Sequence, residues 1–152
     1  MYPQTHFLLP FFIAEILVKL NILNHEYAIL TGLIGVFIDI DHFIKFAVYH
    51  KDFNVKHAWN TAVVKHESER TFIHHKTGFF LITIFNIILF FLNRTMFWVI
   101  SLAYYSHMIL DMKLDAKKIL NIKEKGFIIN LPVYELILDL LLVIGVVLLI
   151  II

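Results

Sequence analysis

Five stretches of this chain are too apolar and too long to be ordinary soluble elements, and they decide what it can fold into. They run from about His6 to Leu23, Tyr27 to Tyr49, His75 to Leu92, Thr95 to Met112 and Val133 to Ile152. Each is close to the ~20 residues that cross ~30 Å of hydrocarbon at ~1.5 Å per residue. Lipid offers no hydrogen-bond partners to the backbone, so a spanning chain forms helices or a closed barrel. Too few segments alternate like strands to close a barrel. The expectation is an all-α fold: an integral membrane bundle of about five transmembrane helices in a single domain over residues 1–152. The first stretch carries Glu15 and Lys19 and is the weakest, so the count is four to five.

Composition agrees. Of 152 residues, 60% are hydrophobic and only 16% charged, where a soluble domain is about half apolar and about a quarter charged. A net charge of +1 supplies no basic surface, so no direct nucleic-acid partner is expected. Cysteine is absent, which excludes disulfides and thiolate zinc sites and leaves His, Asp and Glu as possible ligands. No basic residue precedes the first apolar run and no small-residue cleavage site follows it, so that run is read as part of the mature fold.

Orientation follows from the loops. Residues 50–76 hold Lys51, Lys56, Lys65, Arg70 and Lys76, and residues 113–132 hold Lys113, Lys117, Lys118, Lys123 and Lys125. The other two connections are nearly bare of charge. The positive-inside rule makes both basic loops cytoplasmic, giving a multi-pass protein of the cytoplasmic (inner) membrane with its N-terminus inside.

That orientation gathers the polar residues at one depth. His6 opens the first stretch at the cytoplasmic side, and Asp39, Asp41 and His42 lie in the inner half of the second. His74 and His75 open the third, His107 and Asp111 close the fourth, and Glu135 and Asp139 begin the fifth. An ionisable group near mid-membrane costs ~2.5–3.5 kcal/mol on insertion scales, so such groups face partners or a site. The helix from Tyr27 must continue past Asp39 and Asp41 to span, which sinks that pair roughly 10 Å below the inner boundary. A recess at headgroup depth, open to the cytoplasm and in contact with membrane lipid, is expected.

Three constellations carry chemistry. His107-Met-Ile-Leu-Asp111 sets a His and a carboxylate at i, i+4 on one helix face, a spacing for two ligands or for a ligand and its orienting carboxylate. A carboxylate at a helix C-terminus opposes the macrodipole by ~0.3–1 kcal/mol, so Asp111 gains from a cation. In Asp39-Ile-Asp41-His42, Asp39 and His42 share a face, while Asp41 points elsewhere unless the helix is broken. Arg70-Thr-Phe-Ile-His74-His75 joins a guanidinium, able to hold a phosphate by paired hydrogen bonds, to two imidazoles. Glu135 and Asp139 are weaker candidates. His66-Glu67 and His25-Glu26 lack the second His of a zinc-protease helix, and no Gly-rich phosphate loop or Gly-x-Ser-x-Gly elbow occurs.

Together, Gly35-x-x-Ile38-Asp39-Ile-Asp41-His42, Arg70-Thr-Phe-Ile-His74, His107-Met-Ile-Leu-Asp111 and an early His6 resemble the small integral-membrane proteins of the YdjM type. These are described as inner-membrane, metal-dependent hydrolases and are sometimes called LexA-binding. Their pattern is roughly Pro-Asp-x-Asp-His, His-Arg-x-x-x-His-Ser and His-x-x-x-Asp, in the same order. Here Ile38 stands for the Pro, Glu69 for the first His of the second motif and His75 for its Ser. The resemblance implies a site built from His6, Asp39, Asp41, His42, Arg70, His74, His107 and Asp111.

The expected function is therefore a membrane-embedded hydrolase using one or two divalent ions, Zn²⁺ or Mn²⁺ by the mixed His/Asp donors, on a phosphate or acyl ester of a lipid-like substrate. The metal ligands would come from His6, Asp39, Asp41, His42, His74, His107 and Asp111, with Asp41 also as proton acceptor and Arg70 on the substrate's anionic group. The alternative is a non-enzymatic membrane module that binds metal, handles ions or engages a protein partner through the same recess. A soluble phosphatase or glycosyltransferase reading of Asp39-Ile-Asp41 conflicts with the membrane composition.

Overall fold

The computed structural model describes residues 2–61, 72–111, 118–124 and 127–151, with the backbone alone considered for residues 118–131. Helix α1 spans Pro3–Lys19, α2 His25–Phe37, α3 Ile40–His50 and α4 the short Val55–Trp59. A 3₁₀ turn at Phe72–His74 leads into α5 (Lys76–Leu92), followed by α6 (Arg94–Leu110). Strands β1 (Lys118–Glu124) and β2 (Phe127–Pro132) then form an antiparallel hairpin, and α7 covers Val133–Ile151.

The helices sit where the apolar stretches put them, with one interruption and one addition. The second stretch is not one regular helix, because it is interrupted at Ile38–Asp39 between α2 and α3. The expected fold of packed helices holds, and beside it the chain at 118–132 pairs Asn121 with Asn130 and Ile122 with Ile129 in a short two-stranded hairpin. Among the described residues, two helical stretches are long and apolar enough to cross a membrane: His25–His50, of 26 residues, and Val133–Ile151, of 19. Helix α5 is apolar but shorter. The outward faces of α5 and α7 carry Phe80, Leu81, Ile84, Phe91, Leu140, Leu141 and Ile151, all exposed. Apolar surface this continuous is stable only against lipid or a partner.

Helix α1 is the centre of the bundle, packing on α2, α6 and α7, while α6 also packs on α2 and α5. The core around Ala14, Leu23, Ala28 and Val99 is built from small residues, with Phe11, Leu17, Ile34 and Trp98 against it. In lipid, helices associate through close backbone approach rather than through the hydrophobic effect, so small residues mark the seams. Ala28 and Gly32, and Thr31 and Gly35, are buried i, i+4 pairs on α2. At Gly35 the approach is tightest: a Cβ there would strike the carbonyl oxygen of His6 and come within 2.9 Å of Pro10 Cγ. Only glycine lets α1 and α2 meet at this height.

Side-chain caps start α2, α6 and the short α4, where Asn54 accepts from Lys56 N–H at 3.0 Å. Asn24 accepts from Tyr27 N–H at 3.0 Å at α2, and Asn93 accepts from Met96 N–H at 3.1 Å at α6, each cap contributing ~1 kcal/mol. Helix α1 has no such cap from its own N-cap residue, Tyr2. The amide of Tyr2 instead donates to Glu135 Oε1 on α7 at 2.5 Å.

Candidate metal centre

The site begins with the interruption of α2. Asp39 N–H bonds Val36 O at 3.2 Å and His42 N–H bonds Asp39 O at 3.1 Å, so the chain tightens to 3₁₀ spacing. Residues three apart then eclipse, which turns Asp39 and His42 the same way. No proline is needed; Ile38 and Asp39 keep right-handed angles. The tightening also releases a backbone acceptor. Asp39 N–H bonds Val36 rather than Gly35 one helical turn back, and the Gly35 carbonyl accepts from His107 Nδ1 at 2.9 Å.

That bond fixes a tautomer. A carbonyl only accepts, so His107 Nδ1 carries a proton and the neutral ring presents its lone pair at Nε2. This is the arrangement that orients metal-ligating histidines. His107 Nε2 lies 3.4 Å from Asp39 Oδ1, 3.3 Å from Asp111 Oδ2 and 3.0 Å from His74 Nε2. His74 Nε2 is also 3.1 Å from Asp111 Oδ2. The 3₁₀ turn that carries His74 is held to α6 by Tyr104, whose hydroxyl donates to Ile73 O at 2.9 Å.

Asp39, His74, His107 and Asp111 each offer one ligand atom, and these atoms lie within 4.8 Å of one another. Four donors at ~2.0–2.1 Å around a tetrahedral ion lie ~3.4 Å apart. The four separations of 3.0, 3.1, 3.3 and 3.4 Å lie at or just below that value. The two facing imidazole nitrogens share either a proton, with His74 Nε2–H donating to His107 Nε2, or a cation that both ligate together with the carboxylates. Burial works against the charged form of His74, but hydrogen bonds to Asp111 and Asp41 prevail and raise it to about 9.

His6 is the unsatisfied member. It is fully buried, its ring stacks on His107 with centroids 4.2 Å apart, and among the described residues neither nitrogen has a hydrogen-bond partner. Its Nε2 faces Asp111 Oδ1 at 3.4 Å and Asp39 Oδ2 at 3.6 Å. A buried imidazole left so costs roughly 1–3 kcal/mol, a cost that a cation shared with these carboxylates would remove.

Asp41 does reach the site. With the helix interrupted, its Oδ2 lies 3.6 Å from His74 Nδ1, and Asp41, His42 and His74 make a second possible ligand group. His42 Nε2 is 3.9 Å from both Asp39 Oδ1 and Asp41 Oδ1. Thus seven of the eight residues expected from sequence converge, and Arg70 lies outside the described residues. His75 does not join; it is the exposed N-cap of α5. Glu135 and Asp139 bond Thr5, next to His6, instead of lining the cluster. Gly35 stands in the motif read from sequence, but the role of its carbonyl in aiming His107 is visible only in the fold. An apolar cleft of about 460 Å³ between α1, α5 and α6, lined by Leu9, Asn86, Trp98 and Ser101, contains none of the cluster residues.

A family model described as YdjM inner membrane protein matches residues 1–117. No curated protein and no solved structure matches the chain. The matched span holds every member of the cluster and ends before β1 and α7. The chain therefore belongs to the YdjM family of inner membrane proteins.

Proposed function

We propose that this protein is a metal-dependent hydrolase of the cytoplasmic membrane, crossing it five times from a cytoplasmic N-terminus, with its site near the inner-leaflet headgroups. The observation that carries the reading is the convergence of Asp39, His74, His107 and Asp111 at ligand spacing, with His107 locked by Gly35. These four would hold a divalent ion, with His6 and His42 beside it. The nitrogen and oxygen donors suit Zn²⁺ or Mn²⁺ better than Mg²⁺. When bound, such an ion supplies Lewis-acid polarisation and lets water ionise near neutral pH.

The chain's own groups account for the rest. Asp41, at the edge of the cluster beside His74, is the carboxylate best placed to accept a proton from water. Arg70, two residues before the 3₁₀ turn in sequence, would hold an anionic group by paired hydrogen bonds. A site at this depth favours a phosphate or acyl ester of a lipid-like molecule. Incubation of the metal-loaded protein with lipid phosphoesters and acyl esters tests the proposal. Turnover that Asp41→Asn abolishes at unchanged metal content supports it, and metal-loaded protein inert to every such ester opposes it.

The full burial of His6 and His107 favours a second reading, a non-enzymatic module that binds or moves metal ions or engages a protein partner. Metal uptake into proteoliposomes that depends on Asp39, without ester turnover, would select it.

A further inference from the structure

Helix α7 lies beyond the family-matched residues, yet its polar side chains reach the start of α1. Glu135 is 1% exposed, and its Oε1 accepts from Tyr2 N–H at 2.5 Å and lies 2.9 Å from Thr5 Oγ1. Asp139, one turn further along, accepts from Thr5 Oγ1 at 2.7 Å. Glu135 thus does from another helix what an N-cap side chain does locally, satisfying a first-turn amide and placing negative charge at the positive helix end.

The first turns of α1 have particular need of this. Pro10 sits inside the helix and has no N–H, so the His6 carbonyl four residues earlier has no helical donor. That carbonyl is packed against Gly35 instead. The segment bearing Thr5 and His6 is therefore not registered by its own helix alone. It is held between Gly35 on α2 and Glu135 with Asp139 on α7. His6 then stands with Nε2 3.4 Å from Asp111 and 3.6 Å from Asp39.

We infer that Glu135 is a positioning residue for the metal centre: it holds the Tyr2 amide and, together with Asp139, the Thr5 hydroxyl, which fixes the first turn of α1 and so aims His6 at Asp39 and Asp111. This rests on the metal reading only for its consequence in affinity; the positioning of His6 stands without it. Outer partners of this kind alter metal affinity by ~10–100-fold.

The test uses the full chain in detergent. Glu135→Leu removes the acceptor, Glu135→Gln keeps an oxygen, and Thr5→Val cuts the Thr5 bond to the Glu135–Asp139 pair from the α1 side, which guards against a folding defect of the α7 variant. Two readouts need no metal: hydrogen exchange at the amides of residues 4–6, and the ¹⁵N shifts of the His6 ring. Glu135→Leu and Thr5→Val should speed exchange at least tenfold and move the His6 resonances, with Glu135→Gln close to wild type. In Zn²⁺ titrations, Glu135→Leu should weaken binding by as much as His6→Ala, and the double variant should lose no more than either alone. Unchanged exchange and His6 shifts in Glu135→Leu and Thr5→Val would overturn the inference, as would losses of affinity that multiply in the double variant. A wild type that binds no Zn²⁺ would sink the metal reading, and the exchange and ¹⁵N results would still decide the role of Glu135.

Discussion

Both ends of α1 bury ionisable side chains, but they do so in opposite ways. Toward its C-terminal end, Glu15 is enclosed and, among the described residues, faces a single partner, His25 Nδ1, at 3.1 and 3.0 Å from its two oxygens. His25 opens α2, so the carboxylate also lies near a positive helix end. At the other end, His6 meets Asp39, Asp111 and the stacked His107, with gaps of 3.4–3.6 Å to the carboxylates and no hydrogen bond to either nitrogen among the described residues. The first arrangement is closed: one acid, one base, good distances. The second has imidazoles and carboxylates drawn around a common point that none of them fills. A pair of the first kind holds helices together, whereas a set of the second kind has the donors to hold an ion.

The contrast can be broken by mutation. The largest effect belongs to the cluster: Asp39→Ala or His107→Ala should cut divalent-metal affinity at least a hundredfold, read by titration calorimetry. Substitution at Glu15 should leave that affinity untouched. If Glu15→Leu loses metal as well, the two ends are not separable and the comparison fails.

Next comes Gly35→Ala. Its methyl group would press on the His6 carbonyl and on Pro10, costing about 1–3 kcal/mol as overpacking does. The same shift moves the carbonyl that orients His107, so thermal stability and metal affinity should fall together. Loss of stability with full affinity would show that the Gly35–His107 bond does not set the site.

The smaller effects lie at the closed end. His25→Ala leaves the Glu15 carboxylate buried without its base, at a cost of about 2 kcal/mol. Glu15→Leu removes the buried charge and leaves His25 in solvent, so it should be near neutral or stabilising. Thermal melts of the two variants should therefore differ in that order. The reverse order would mean that Glu15 has an interaction other than with His25.

How far the sequence foretold this depends on the range of the interactions involved. Apolar runs of helical length end close to the observed helices, because lipid solvation acts on every residue of a segment and leaves a long signal. Asp39, His107 and Asp111 stood out because charge is costly in such runs. The interruption at Ile38–Asp39 was not visible: neither residue breaks helices, and the 3₁₀ tightening is stabilised by contacts elsewhere, including His107 on the Gly35 carbonyl. The hairpin falls in the loop at 113–132, whose lysines dominate its composition. Yet Ile119-Leu-Asn-Ile-Lys and Phe127-Ile-Ile-Asn-Leu on either side of Lys125-Gly126 carry a strand–turn–strand signal. The partner of Glu135 lies some 130 residues away, and no local pattern reports a contact at that distance.

The account rests on the open cluster holding an ion, and elemental analysis of the full-length protein purified in detergent tests this most directly. Stoichiometric zinc or manganese in the wild type, absent from His107→Ala at unchanged helical content, is the predicted result. A folded wild type that carries no divalent metal and takes up none on titration would contradict it.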